Sequence, residues 1–101
     1  MPPQKYKIEY LPIADRDFAE IITYIAVDLA APQAAVNLTQ KIEQAIKSLE
    51  TFPFAHSVYQ SEELRTVPFE FRALVVKSYL VFYYVTEDTV TIARIIHGKR
   101  D

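Results

Sequence analysis

The residues with most chemical potential crowd the end of the chain, where His97-Gly98-Lys99-Arg100-Asp101 follows the apolar run Val90–Ile96. An imidazole and two cations just past a strand-like segment are placed where functional side chains often sit. Further cations lie on or beside the preceding strand-like stretches: Arg65, Arg72, Lys77 and Arg94. In a meander, residues at the same end of neighbouring strands converge, so Arg72, Arg94, His97 and Arg100 could share one rim. Such a rim would suit an oxyanion or a phosphate, because guanidinium forks clamp phosphate and His exchanges protons near neutral pH. The alternative is that the strand arginines pair with Glu62, Glu63, Glu70 or Asp101. His97 by itself reads as a positioning or hydrogen-bonding group rather than a general acid, and His56 as structural. Gly98 is the only glycine, which predicts a turn that needs positive φ or close backbone approach.

Other chemistries are poorly provided for. The chain has no cysteine, which removes thiol catalysis, disulfides and cysteine-ligated zinc. The two histidines are far apart in sequence and no helix carries a His-x-x-x-His pair, so no metal motif is present. A single glycine leaves no phosphate-binding loop. Ser48, Ser57, Ser61 and Ser78 lack the flanking pattern of a nucleophile elbow. No cofactor is expected. The net charge of −2 argues against a generic nucleic-acid binder. Residues 1–51 carry five Lys/Arg against seven Asp/Glu and residues 52–101 carry six of each, so the net charge arises in the first half. No apolar run is long enough to span a bilayer, and the N-terminus lacks the apolar stretch of a signal peptide; a cytoplasmic location is expected. At 101 residues, half of them hydrophobic, the chain predicts one domain over 1–101 with a real core.

The elements that would position these residues follow from periodicity. Tyr6-Lys7-Ile8-Glu9-Tyr10 alternates apolar and polar, predicting a strand with Tyr6, Ile8 and Tyr10 on one face. Pro12 ends it and suits the first turn of a helix. Ala14, Phe18, Ile21, Ile22, Ile25 and Leu29 then recur at helical spacing, with Asp15, Asp17 and Glu20 towards the N-terminal end of the dipole. Pro32 opens a second helix bearing Ala35, Leu38, Ile42, Ala45 and Leu49, and Thr51-Phe52-Pro53 stops it. A polar loop over 54–63 precedes strand-like stretches at Leu64–Val67 with Phe71–Lys77, Tyr79–Val85 and Val90–Ile96. Thr86-Glu87-Asp88-Thr89 reads as a hairpin turn. Helices followed by a run of strands predict an α+β fold: an N-terminal strand, an antiparallel helical hairpin, then a three- to four-strand antiparallel meander with the helices on one face. At least one of Tyr83 and Tyr84 should face away from the helices.

The ordered set of motifs resembles the RelE/ParE superfamily of type II toxins, closest to its ParE, or plasmid-stabilisation, branch. The resemblance rests on Ala14-x-x-Asp17-Phe18-x-x-Ile21-x-x-Tyr24-Ile25, Phe52-Pro53, Arg72 followed by Tyr79-x-x-Phe82-Tyr83-x-Val85, and Ile92-x-Arg94-Ile95-Ile96-His97-Gly98-Lys99-Arg100-Asp101. It implies a toxin neutralised by a cognate antitoxin. RelE-like members are ribosome-dependent mRNA endonucleases, and here Arg72, His97, Lys99 and Arg100 would carry that activity. ParE-like members instead block DNA gyrase by binding. RelE-like toxins place an arginine after the tyrosine matching Tyr79, where this chain has Leu80, which cannot stabilise a cleaving phosphate. The gyrase-type toxin is therefore the preferred reading, with the nuclease and an inactive binding module as alternatives.

Two contact surfaces follow as expectations. Arg94, His97, Lys99 and Arg100 would touch the target. An antitoxin segment that folds on binding would lie along the hairpin, over Phe18, Ile22, Ile25, Leu38 and Ile42.

Overall fold

The computed structural model describes residues 5–98. Strand β1 (Lys7–Tyr10) leads without a loop into helix α1 (Pro12–Thr23), with Pro12 in the first turn, where its missing N–H costs no hydrogen bond. A π-helical turn, Tyr24–Asp28, follows. Helix α2 (Pro32–Lys47) again starts on a proline and tightens into a 3-10 turn at Ser48–Glu50. Strands β2 (Arg72–Val76), β3 (Tyr79–Thr86) and β4 (Thr89–His97) form the meander.

The fold is α+β with both helices on one sheet face, α1 against β4 and α2 against β2. Two features of the sheet differ from the expectation. Leu64–Val67 is not a strand but a 3-10 turn (Glu62–Leu64) and loop, so the meander has three strands. The sheet is also mixed, with order β1-β4-β3-β2 and β1 parallel to β4 from Lys7↔Thr89 to Tyr10↔Ile92. The helices between the first and last strands supply the crossover that parallel neighbours need.

The core lies between hairpin and sheet. Leu38, Ile42, Ile46 and Leu49 of the second helical segment meet Leu74, Val76, Val81, Tyr83, Val90, Ile92 and Ile95 of the sheet. Tyr83 is fully buried on the helix side, and its hydroxyl donates to the Pro53 carbonyl oxygen at 2.8 Å. Tyr84 faces the other way and stacks on Phe69, with ring centroids 4.1 Å apart.

The π turn changes what the first helix presents. Leu29 continues the helical stripe in sequence, yet it is exposed, as are Tyr24, Val27 and Val36. Ala31 N–H reaches back six positions to the Ile25 carbonyl at 3.0 Å, one further than the usual Schellman bond, and Ala30 takes the left-handed position with φ of 49°. Lys77 (φ 56°) and Glu87 (φ 44°) do the same in the two hairpin turns. The chain's only glycine occupies none of these three sites, and its φ is not positive.

Two stability predictions follow. Replacing Ala30 with Gly removes left-handed strain of about 1–2 kcal/mol against an unfolded-state entropy cost of about 0.4–1 kcal/mol, so thermal unfolding should show a small net gain. Burial raises the Tyr83 pKa above its ordinary value, with Arg72 and a backbone hydrogen bond at His56 opposing. The unfolded tyrosine therefore ionises first, so the stability Tyr83 contributes is intact below about pH 10 and declines as pH rises further. Tyr83→Phe should cost about 1 kcal/mol at neutral pH and flatten the alkaline limb of a pH–stability curve.

Candidate functional site: the cations of the sheet and the C-terminal rim

Strand pairing settles which of the sequence-derived cations can meet. Arg72 lies opposite Tyr83, and His97 lies opposite Tyr79, four residues further along β3. At about 3.3 Å per residue that separates them by about 13 Å along the sheet. Arg94 pairs with Phe82, whose side chain points away from the helices, whereas Tyr83 and Arg72 share the helix side. The expected convergence of Arg72, Arg94 and His97 on one rim does not occur. Lys99 and Arg100 lie outside the described residues.

Each strand arginine has a structural task. Arg72, whose side chain is 16% exposed, donates from Nη1 to the His56 carbonyl at 2.7 Å and pairs through Nη2 with Glu70 at 3.2 Å. Its guanidinium also lies over the Phe54 ring, 5.2 Å from the centroid. It therefore fastens the loop after Pro53 to the edge of β2. The Glu70 pair is the alternative that the sequence left open for this arginine.

Arg94 is held more firmly, by a residue the sequence did not nominate as its partner. Its Nε donates to Asp17 Oδ2 at 2.7 Å and its Nη2 to Oδ1 at 3.1 Å. The same Oδ2 accepts the Ile95 backbone N–H at 3.0 Å. Hydrogen bonding to Asp17 is the largest influence on Arg94 and raises its already high pKa. Asp17 thus joins α1 to β4 at the one irregularity in that strand. Phe82 pairs with Arg94 and Tyr83 with Ile92, which leaves Ala93 as the extra residue of a bulge.

His97 packs edge-on against Tyr79, with centroids 5.1 Å apart. Gly98 extends this end of the sheet by donating its N–H to the Ser78 carbonyl at 2.7 Å. A Cβ on Gly98 would stand 3.3 Å from that oxygen, so the glycine serves close backbone approach rather than positive φ. Gly98 therefore lies beside the β2–β3 turn.

On the face away from the helices, Leu80 sits between Val75 of β2 and Ile96 of β4. The three side chains form an apolar row across the sheet. Among the described residues, no group of three His, Cys, Asp or Glu could hold a metal ion, and no helix is long and apolar enough to cross a membrane. An open cavity of about 710 Å³ beneath the 58–71 loop is lined by Tyr59, Arg65, Phe69 and Phe71 and includes none of the rim residues.

The hairpin surface also differs from expectation. Ile42 is fully buried and Leu38 nearly so, both inside the core, and Phe18 and Ile25 pack against it. Leu38 and Ile42 cannot receive a partner without opening the core; their stripe points into the sheet. The large apolar groups the hairpin does expose are Ile13, Tyr24, Val27, Leu29 and Val36. Tyr24, Val27 and Val36 lie off the apolar stripes of their helices, whereas Leu29 lies on its stripe and is exposed after the π turn that follows Thr23 shifts the helical phase.

The described residues thus form a helical hairpin packed on one face of a short four-stranded sheet. The structure superposes on the chromosomal ParDE toxin–antitoxin system from P. aeruginosa with a TM-score of 0.75, at 22% identity over 94% of this chain and 98% of that one. It also superposes on the RelBE2 toxin–antitoxin complex from Mycobacterium tuberculosis with a TM-score of 0.63, at 18% identity over 95% of this chain and 94% of that one. Comparison with curated proteins finds no match. The model of the ParE toxin of type II toxin–antitoxin systems, parDE, matches residues 8–101, and the chain belongs to that family.

The geometry makes Asp17 the more consequential half of its ion pair. Asp17→Ala should cost about 2 kcal/mol, because it strands the Ile95 N–H together with Arg94. Arg94→Ala should cost less than half of that, since the backbone hydrogen bond survives. Chemical denaturation of both variants gives the comparison, and equal losses would contradict it.

Proposed function

We propose that this chain is a ParE-type toxin that acts in the cytoplasm by binding DNA gyrase and is neutralised by a cognate antitoxin. The family supports the toxin role. The observation that favours binding over RNA cleavage is the apolar row Val75–Leu80–Ile96. Phosphoryl-transfer catalysis depends on charge placed where the transition state develops it. Here Arg72 and Arg94, the strand cations that could supply that charge, are committed to His56, Glu70 and Asp17. The target contact then falls to the rim, with His97 displayed beside Tyr79 and Lys99 and Arg100 following Gly98. Arg94 contributes to that contact by holding the end of β4 in place.

The test is induction of the chain without antitoxin, followed by gyrase supercoiling and mRNA cleavage assays. Loss of supercoiling without cleavage is expected. Ribosome-dependent cleavage would assign the RelE-type activity to His97, Lys99 and Arg100, and an effect on neither would leave an inert binding module. The double variant Lys99→Ala/Arg100→Ala should lose at least tenfold in gyrase inhibition while its melting temperature stays unchanged.

A further inference from the structure

The two hairpin turns of the meander carry opposite charge. Glu87 and Asp88 turn the chain between β3 and β4, where Asp88 lies 3.9 Å from the Lys7 ammonium. Lys77 and Ser78 turn it between β2 and β3, at the other end of the sheet. Glu87 and Asp88 are the only acids between 71 and 98, so the strands bring no carboxylate to the Lys77 end. Asp17, the carboxylate bonded to β4, is paired with Arg94.

Lys77 stands in the left-handed region, with φ of 56°. A residue with a Cβ is strained there, and the first position of a two-residue hairpin turn ordinarily goes to glycine, asparagine or aspartate. The fold takes nothing in return from this lysine. It is exposed, and it has no ion pair among the described residues. Ala30 and Glu87 share the conformation, so strain alone does not single Lys77 out. Its charge and its place do.

The place is set by Gly98. Tyr79 pairs with His97, and one step beyond them Gly98 donates its N–H to the Ser78 carbonyl at 2.7 Å. A Cβ on Gly98 would meet that oxygen at 3.3 Å and Leu80 Cγ at 3.5 Å, so the glycine keeps the two backbones together. Consecutive Cα atoms are about 3.8 Å apart and bonded antiparallel partners about 5.5 Å, which puts the Cα of Lys77 within about 9 Å of that of Gly98. Lys77, His97 and Gly98 thus share one corner of the sheet, and Lys99 and Arg100 follow Gly98 in sequence.

We propose that Lys77 is a further target-contact residue, whose left-handed turn holds its ammonium group beside the start of the Lys99-Arg100 segment to meet carboxylates on the gyrase protein. This deepens, and rests on, the reading of the chain as a gyrase-binding toxin. Protein fits better than DNA as the partner because Val75, two residues before Lys77, is apolar and 64% exposed, and phosphates gain nothing from it.

The test is inhibition of gyrase supercoiling by the purified full chain and three variants. Lys77→Gly relieves the turn while removing the charge, Lys77→Arg keeps the charge, and Glu87→Gly relieves the other hairpin in the same way. Lys77→Gly should raise the half-inhibitory concentration at least fivefold, although its melting temperature holds or rises. Lys77→Arg and Glu87→Gly should each stay within twofold of the wild type. Higher ionic strength should narrow the gap between wild type and Lys77→Gly, because exposed charge contacts are screened.

Undiminished inhibition by Lys77→Gly overturns the proposal. So does an equal loss with Lys77→Arg, which would make the role structural, or with Glu87→Gly, which would make it a general effect of altered turns. Lys77-dependent binding of duplex DNA without gyrase, read by fluorescence anisotropy, would give the contact to phosphates and overturn it too. Failure of the toxin reading looks different. If the wild-type chain does not inhibit gyrase, that reading falls and this proposal with it. If the wild type inhibits and Lys77→Gly inhibits equally, the reading stands and only this proposal fails.

Discussion

One carboxylate completes the strand on which the rest of the structure is hung. β4 is an interior strand, paired with β3 along its length and with β1 only as far as Ile92. Past that point β1 has already turned into α1, and the β4 backbone needs another partner. Asp17 supplies it by accepting the Ile95 N–H and the Arg94 guanidinium together. A buried donor left without an acceptor costs about 1–3 kcal/mol, comparable to the margin on which a small domain depends. The same bonds fix the height of α1 over the sheet and the bulge at Ala93. Through α1 they also constrain where the hairpin lies.

This arrangement reassigns the cations. Arg72 secures the loop after Pro53 and Arg94 secures the first helix, so the arginines most suggestive of phosphate chemistry are structural fasteners. The surfaces left for partners are of different kinds. At the C-terminal rim, Gly98 is pinned to Ser78 and passes the chain to Lys99 and Arg100. On the sheet face away from the helices lies the apolar row Val75–Leu80–Ile96, with the exposed Lys77 in the adjoining turn. At the hairpin tip, Val27, Leu29 and Val36 are exposed around a left-handed alanine.

Much of the fold was legible because its signals are local. Both helices begin on the prolines that announce them, and the buried face of α2 follows the 3–4 spacing of Ala35, Leu38 and Ile42, continued by Ile46 in place of the expected Ala45. The hairpin at Glu87-Asp88 also falls where the turn residues place it. The direction of β1 was not legible, since an alternating five-residue stretch pairs equally well either way. The π turn was also hidden, and with it the exposure of Leu29. Leu38 and Ile42 show the limit of reading an apolar stripe as a binding surface: periodicity identifies the face that leaves water, but not whether it meets the sheet or a partner.

The sequence by itself determined both helices, the main strands, the family and the apolar residue at Leu80, because periodicity, ordered motifs and residue identity are properties of the chain alone. Only the tertiary structure decided what the cations do. Asp17 and Arg94 are 77 residues apart, and Arg72 meets His56 across 16, so neither pairing has a spacing that a sequence can display. Strand register separated Arg72 from His97, and it also joined Val75, Leu80 and Ile96 into one surface. Side-chain chemistry is written locally, but the company each side chain keeps depends on which strands lie side by side, and that is settled by packing over the whole chain.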